Sequence, residues 1–416
     1  MSARMLGGRG FGVLWFGEGV SLLGTATSGL LLPLLAITTL HVGPTGLGLL
    51  TATAWVPWLL IGLPAGAWVD GWSARRTMLT ADLVSAAAMG SVPIAAALDA
   101  LTLGQLYVVA GVTGAATVFF RAAYPRLIGV VVAPEQYVGA NARLTGTESA
   151  ANVAGPGLGG LLAQWLSAAT GLVVDAASFL VSACCLSRLK VDSPGTREQH
   201  ERLGTRIRAG MRFVARDRYL RWFIVLGGLS NFGLTGLETL LVLFLVRNVG
   251  LEPGAVGAVF MAGSAGGVIG AAIADRAARR LGSARANVVF QLGAMVVLLV
   301  PFGGAGAGLA LIVAGEVGVA GTVVALNVIR AGWRLAYIPA ELMGRVVTSA
   351  QAVNFGTMPI AGVVAGWLGS SLGLRAGIAV LAAVHAAACL AILASPVRRL
   401  RDLPERAVPP AVPVTV

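Results

Sequence analysis

Seven ionisable side chains stand inside long apolar runs of this 416-residue chain: Glu18, Asp82, Glu148, Asp175, Glu238, Glu316 and His385. A charge at the centre of a hydrocarbon layer costs about 2.5–3.5 kcal/mol or more, so such a group is either paired or functional. A carboxylate so placed can take up and release a proton as its surroundings change between wet and dry, which is the chemistry of ion coupling rather than of bond making. Asp82 can pair with a nearby arginine, Arg75, Arg76 or Arg121. Asp175, near the end of its run, reads as an interfacial or capping group, and His385 as a packing histidine on an apolar helix. Glu18, Glu148, Glu238 and Glu316 remain as candidates for a coupling proton. Asn231, Asn327 and Asn354, with Asn152 and Gln351, can add hydrogen bonds nearby, and Phe232 and Phe355, with Trp15, apolar contact.

Other chemistries have no residues to carry them. No Gly-x4-Gly-Lys-Ser/Thr loop is present to cradle a nucleotide, so ATP is not expected as a direct energy source. The cysteines Cys184, Cys185 and Cys389 all fall inside apolar runs, where cysteine acts as a small hydrophobe, and they imply neither a disulfide framework nor a metal site. An enzyme would need a cluster of nucleophile, base or metal ligands, and three scattered histidines supply none. No cofactor and no catalytic residue is expected. The formal charge of +12 would suggest nucleic acid in a soluble domain, but the charges lie between the apolar runs and no nucleic-acid partner is expected.

The elements that must position the seven groups are membrane helices. A chain that is 56% hydrophobic and 12% charged lies far from globular composition. Leu47 to Val69 is 23 residues without a charge, and Thr77 to Leu98 is 22 with only Asp82; each is long enough to span a hydrocarbon core. Breaking the apolar runs at Gly, Pro and charge clusters predicts twelve spans. Six form a first half at 11–39, 47–69, 77–98, 103–124, 139–166 and 170–188. Six form a second at 221–246, 254–274, 284–302, 307–329, 345–369 and 375–396. The first run is too long for the apolar part of a signal peptide and is expected to be retained. The expected fold is an all-α polytopic membrane protein of two pseudo-symmetric six-helix bundles. These occupy 1–188 and 221–396, joined by a cytoplasmic linker at 189–220 and followed by a disordered cytoplasmic tail at 397–416.

Basic residues set the orientation. Counting the segments between spans alternately, one set holds 28 of the 30 Lys and Arg and the other only Arg247 and Arg375. The rich set, which contains both termini, is expected in the cytoplasm. Within the linker Leu203, Ile207, Met211 and Val214 recur at helical spacing with arginines between them. They mark either an amphipathic helix along the inner membrane surface or a solvated connector.

A pattern repeats at nearly one offset. Gly66-Ala-Trp-Val-Asp70-Gly-Trp-Ser-Ala-Arg75-Arg76 returns as Gly270-Ala-Ala-Ile-Ala-Asp275-Arg-Ala-Ala-Arg279-Arg280, 205 positions on. Pro134 and Pro339, opening the fifth and eleventh spans, are also 205 apart, and Pro156 and Pro359 within them are 203 apart. Two equivalent halves related by an axis along the membrane normal follow. Asp70 can accept hydrogen bonds from Arg75 or Arg76 and from backbone N–H groups, making either a conformational latch or a loop anchor, and Asp275, Arg279 and Arg280 repeat the set. In the fifth span Gly155, Pro156, Gly157, Gly159 and Gly160 allow close helix approach, either as a seal between halves or as ordinary small-residue packing.

Twelve spans, a central basic linker and the Gly-x3-Asp hinge with paired arginines resemble the major facilitator superfamily. Gly155-Pro156-Gly157-Leu158-Gly159-Gly160 resembles the Gly-Pro-x-x-Gly-Gly signature of its antiporters. Asp175-Ala-Ala-Ser-Phe179, Gly210-Met-Arg-Phe-Val and Gly344-Arg345-Val346 resemble the branch containing enterobactin and macrolide exporters. The family's arginine inside span 4 finds no counterpart between Leu103 and Phe120. The resemblance implies that spans 1, 4, 7 and 10 surround a central cavity with 2, 5, 8 and 11 beside it. Glu18, Glu238 and Glu316 then fall on cavity-lining spans and Glu148 on a neighbour.

The function expected is export of a small hydrophobic or amphiphilic compound (drug, antibiotic or siderophore) by a monomer in the lipid bilayer, driven by a proton gradient through alternating access. Nutrient uptake by the same fold and a non-transporting sensor are the alternatives. Lys190 is the one lysine among 30 basic residues, a bias of high-GC bacterial genes, and the bacterial plasma membrane is the expected location. A reporter active only in the cytoplasm should therefore signal from residue 200, and one active only outside from the turn at 41–45. An outside signal at residue 200 would defeat the twelve-span arrangement.

Overall fold

The computed structural model describes residues 9–189 and 211–405. Twelve long helices follow in order: α1 (Arg9–Thr38), α2 (Pro44–Asp70), α3 (Ala74–Ala97), α4 (Leu103–Val131), α5 (Tyr137–Trp165) and α6 (Ala168–Arg188) in the first half. The second half has α7 (Arg218–Phe244), α8 (Pro253–Leu281), α9 (Ser283–Gly293, extended by a tighter 3-10 stretch Ala294–Phe302), α10 (Leu309–Tyr337), α11 (Ala340–Ser371) and α12 (Leu374–Leu390). No strand occurs among the described residues. Among the described residues eleven segments are long and apolar enough to cross a membrane; α5 is not among them. Its first half carries Asn141, Arg143, Thr145, Thr147 and Glu148, and it owes its place to packing.

Local chemistry sets where helices begin. Ser73, Thr102 and Ser167 cap α3, α4 and α6 by accepting from the backbone N–H three residues on, and Asp217 Oδ1 accepts from Tyr219 and Leu220 N–H at 2.9 and 2.8 Å to start α7. Pro44 and Pro253 occupy first-turn positions, where the missing N–H costs nothing.

Helix pairing shows the duplication directly. In the first half α1 packs on α5 and α6, α2 on α4, and α3 on α4 and α6. In the second, α7 packs on α11 and α12, α8 on α10, and the α9 segment on α10 and α12, the same set moved by six helices. Between halves the extensive pairings are α2 with α11 and α5 with α8, which the same shift exchanges.

Both cross-half contacts are seams of glycine. A Cβ at Gly48 would collide with the Gly362 carbonyl oxygen, and one at Gly366 would lie 3.0 Å from Pro44 O. On the other side a Cβ at Gly160 would lie 2.5 Å from Pro253 O, and one at Gly257 2.5 Å from Pro156 O. Backbones therefore touch, which only small residues permit. Both seams lie at the end of the bundle bearing the turns at 39–43 and 250–252. Polar ties reinforce them there: Arg247 Nη2 donates to His41 O and Val42 O at 3.0 and 3.1 Å, and Gln164 Nε2 donates to Glu252 Oε2 at 2.9 Å.

Several expected limits shift. α4 runs to Val131 rather than 124, and α10 to Tyr337 rather than 329, so Arg126, Arg330 and Arg334 lie on helices instead of in connecting segments. Helices of 29 residues measure about 43 Å at about 1.5 Å per residue, longer than a hydrocarbon core of about 30 Å, and keep their form past its edge. The linker ends at Asp217, where α7 starts. Of its predicted amphipathic helix, residues 190–210 lie outside the described residues. Residues 211–216 are helical, with Phe213 and Val214 buried beside Leu220, Phe223 and Trp333, and Met211 exposed.

The tail is corrected at its start. Leu403 is buried, Trp333 Nε1 donates to Pro404 O at 2.9 Å, and Ser283 N–H donates to Asp402 Oδ1 at 2.9 Å. Apolar burial and capping of the α9 start thus order 397–405 despite its prolines and charges. Residues 406–416 lie outside the described residues.

If the seams set the closed state, Gly48→Val and Gly160→Val should each overpack it by about 1–3 kcal/mol. Labelling of a cysteine placed at Thr239 from the side of the 39–43 turn should then rise by about ten-fold or more. Unchanged labelling in both variants would dismiss the seams as the closing contact.

Candidate functional site

Away from the seams the halves part around a cavity of about 640 Å³, lined mainly by α1 to α5 and by residues 344–351 of α11. On α1, Glu18, Leu22 and Thr25 recur at intervals of four and three and share the face that lines it. Glu18 Oε2 is shielded from solvent and has no hydrogen-bond partner. Asp82 of α3 lines the same wall, buried, with Oδ2 also unpartnered. Glu148 of α5 accepts from Arg121 Nη2 of α4 at 2.9 Å, both side chains roughly half exposed to the cavity. The fourth span thus does bring an arginine to the cavity, at the residue directly after the arginine-free stretch Leu103 to Phe120. It takes Glu148 rather than Asp82 as its partner.

The hinge residues sit at the mouth. Asp70 lines the cavity where α2 ends. Arg126 Nη1 donates to Val69 O at 2.6 Å and Trp72 O at 3.4 Å, so an arginine of α4 holds the α2 terminus. Arg75 Nε donates to Leu186 O at 2.8 Å and its Nη2 to Ser187 O, fastening the start of α3 to the end of α6. Arg76 opens α3 at its Ser73 cap. The repeat differs: α8 continues without a break through Asp275, Arg279 and Arg280 to Leu281. Asp275 pairs with Arg279 one turn along the same exposed helix face. Gly71 and Ser73, which break the first pattern, are replaced by Arg276 and Ala278, which continue a helix.

In the Gly-Pro segment of α5, the glycines divide between two neighbours. A Cβ at Gly155 would meet Ala26 and at Gly159 Thr27 O, both on α1, whereas Gly157 faces Met261 and Gly160 faces Gly257, both on α8. One helix is wedged between its own half and the other.

The second-half carboxylates do not join the large cavity. Glu238 is exposed on the α7 face that it shares with Gly227 and Asn231, nearer the closed end. Glu316 of α10 is buried against Gly263 of α8 with Oε1 unpartnered, within electrostatic reach of Glu238. Although α1 and α7 are equivalent helices, Glu18 and Glu238 lie at opposite depths. Asn231, Asn327 and Asn354 come together around a second cavity of about 90 Å³ with Gln291, Arg330 and Arg334. Phe232 packs against the apolar core, while Phe355 stacks on Trp55 and meets Trp58 of α2 at a tilt, with ring centres 5.7 and 4.7 Å away. Trp58 and Gln351 line the large cavity, and Trp15 donates to Thr147 at 2.8 Å. Asn152 is exposed on α5.

Asp175 is neither interfacial nor capping. It is wholly buried between α1 and α6, accepting from Ser28 and from Ser178 Oγ, because two serines of an otherwise apolar interface offer it hydroxyls. His385 is buried with Nδ1 3.0 Å from Ser230 Oγ. Among the described residues no group of His, Cys, Asp and Glu is arranged to hold a metal.

Two parted helical halves, a cavity between them with carboxylates and arginines in an otherwise largely apolar wall, and a seam closing one end define the architecture of a membrane transporter. The family model of the Major Facilitator Superfamily matches residues 14–356, and the chain belongs to that superfamily. It is 31% identical over 235 residues to the multidrug efflux pump Tap of Mycolicibacterium fortuitum, covering 52% of this chain and 54% of the relative. Against Tap of Mycobacterium tuberculosis it is 28% identical over 269 residues, covering 59% of this chain and 61% of that one. The matched stretches thus span little more than half of these pumps. Among solved structures, the nucleoside transporter NupG superposes with a TM-score of 0.75 at 12% identity, covering 92% of this chain and 98% of that one. A bacterial homologue of the iron transporter ferroportin in an inward-facing state gives 0.71 at 16%, covering 93% and 98%. Both show the fold alone.

The Arg121–Glu148 pair is too exposed to matter much for folding. Arg121→Gln should change stability by less than about 1 kcal/mol yet lower transport severely, and a transport rate equal to the parent's would remove the pair from the working cavity.

Proposed function

We propose that the chain is a secondary active exporter of small hydrophobic or amphiphilic compounds that exchanges them for protons by rocking of its two halves. The observation that carries this reading is the large cavity of about 640 Å³, with the unpartnered Glu18 in its wall and Trp58 and Phe120 as apolar lining, opposite a glycine-sealed end. Likeness to the Tap pumps supports export over uptake, as does the Gly155–Gly160 segment at the cross-half contact. The chain lies in a bacterial plasma membrane with the hinge end, rich in arginine, toward the cytoplasm, so that the state described is open to the inside.

In this cycle a compound enters from the cytoplasm, the cavity closes at the hinge end, and the glycine seams part. Asp70, Arg75 and Arg76 act at the hinge as the latch between arrangements, with Asp275, Arg279 and Arg280 in the lesser, intrahelical version. Proton binding at Glu18 removes its charge and changes the cavity's preference between states. Glu18 leads the four candidates because it alone combines a cavity position with an unpartnered, shielded oxygen; Glu316 follows, then Glu238 and Glu148.

Cells expressing the chain should accumulate less of a fluorescent lipophilic cation than cells without it, and Asp70→Asn should abolish the difference without loss of membrane insertion. In vesicles with an imposed pH gradient, Glu18→Gln should stop concentrative movement while sparing downhill exchange of the dye. If Glu18→Gln, Glu148→Gln, Glu238→Gln and Glu316→Gln all concentrate dye as the parent does, proton coupling through them is wrong. Dependence on sodium instead would replace it.

A further inference from the structure

The small cavity of the second half differs in charge from the large one. The large cavity mixes Glu18, Asp82 and Glu148 with arginines; the small one is lined by Arg330, Arg334, four side-chain amides and Ser230, with no carboxylate. Arg330 Nη2 donates to Asn287 Oδ1 at 3.2 Å and to Gln291 Oε1 at 2.5 Å, and its guanidinium lies 4.7 Å from the Phe223 ring centre. Its Nε is buried without a partner, as is Asn287 Nδ2. Neither Arg330 nor Arg334 has a carboxylate partner among the described residues. A half-buried cation served only by amides and a ring, with its Nε shielded from solvent, carries a desolvation cost that a neighbouring negative charge would offset.

The surrounding network holds this arrangement in place. Ser230 Oγ lies 3.0 Å from His385 Nδ1, His385 Nε2 lies 3.3 Å from Cys389 Sγ, and Gln291 Nε2 donates to Cys389 Sγ at 3.4 Å. With its NH2 engaged there, Gln291 turns its oxygen to Arg330, so the amide orients the guanidinium and does not neutralise it. Asn231 and Asn327 supply further N–H groups on the wall, and a half-turn of the Asn354 amide, whose Oδ1 has no partner, would supply another. A space of about 90 Å³ is room for about three waters or one small anion.

We propose that this cavity is an anion site in which Arg330 and Arg334, aided by the asparagine amides, hold one small monovalent anion. The anion is chloride from solution or the carboxylate of a transported compound, two sources of the same chemistry. The site is independent of whether the chain exports drugs, and its binding is read without transport.

The test uses the purified full chain in detergent, with ionic strength held constant by gluconate, which is too large for the cavity. Sodium chloride and sodium acetate are titrated separately while thermal unfolding and the intrinsic tryptophan fluorescence, to which Trp333 in the cavity wall contributes, are followed. A saturable rise in melting temperature with a fluorescence change is expected. Arg330→Gln should weaken the response by at least about ten-fold. Asn354→Asp, which places a fixed carboxylate in the cavity, should be more stable than the parent without added anion and no longer respond. A response to chloride alone supports the inorganic source; a response to acetate at lower concentration supports the carboxylate. Absence of any saturable response in the parent, or an undiminished one in Arg330→Gln or Asn354→Asp, overturns the proposal.

Discussion

The structure rests on backbone touching backbone between its two halves at one end only. Lipid tails are as apolar as leucine, so burying apolar surface gives no drive for one membrane helix to join another, and association must come from close packing. Gly48 against Gly362, and Gly160 against Gly257, bring main chains into direct contact. Because neither seam extends toward the hinge end, the same contacts that join the halves leave them splayed around the cavity. The Gly-Pro segment of α5 also touches α1 through Gly155 and Gly159, four residues apart on one face. The α5–α8 seam is thereby joined by direct packing to the helix that carries Glu18.

Repetition of the fold has not repeated its chemistry. Five pairings within the first half recur six helices later, yet the two cavities differ in charge, the large one mixing carboxylates with arginines and the small one holding arginines alone. Carboxylates and arginines share the wall of the large cavity, where Arg121 and Glu148 satisfy each other and Glu18 and Asp82 keep unpartnered oxygens. Across the bundle, Arg330 and Arg334 face amides. A symmetric scaffold needs only equivalent shapes at its contacts, which glycine and alanine supply. Sites are free to diverge once those shapes are kept.

Much of the architecture was legible in the sequence, since apolar run length, the offset of 205 and the segregation of basic residues all report on it. Limits failed where a charge was taken to end a span. Arg126 and Arg330 each continue a helix, because backbone hydrogen bonding persists where the side chain finds a carbonyl, an amide or a ring. Asp175 was misplaced for a related reason: its satisfaction by Ser28, 147 residues away, depends on how α1 meets α6. The clustering of Asn231, Asn327 and Asn354 likewise arises from three helices meeting, which no local spacing encodes. Tail residues 397–405 looked disordered by composition, but Leu403 and Asp402 find a groove and a helix start that only the folded chain presents.

The proposed rocking would require each half to move as a body, and the two halves are held together by different means. In the first, arginine side chains bind main-chain carbonyls at helix ends: Arg126 of α4 holds Val69 and Trp72 at the end of α2, and Arg75 of α3 holds Leu186 at the end of α6. Cations there also oppose the negative end of the helix dipole. In the second half the matching arginines stay on α8, and Arg279 is occupied by Asp275 of its own helix. That half is tied instead by the tail, where Arg401 O accepts from Ala284 N–H, Asp402 caps Ser283, and Pro404 O accepts from Trp333 of α10. At the same end Tyr337 donates to Asp217 at 2.6 Å, joining α10 to the start of α7. Loss of the hinge pattern in the repeat and capture of the tail are thus two sides of one arrangement, since a second half without its arginine staples needs another strap to turn as a unit.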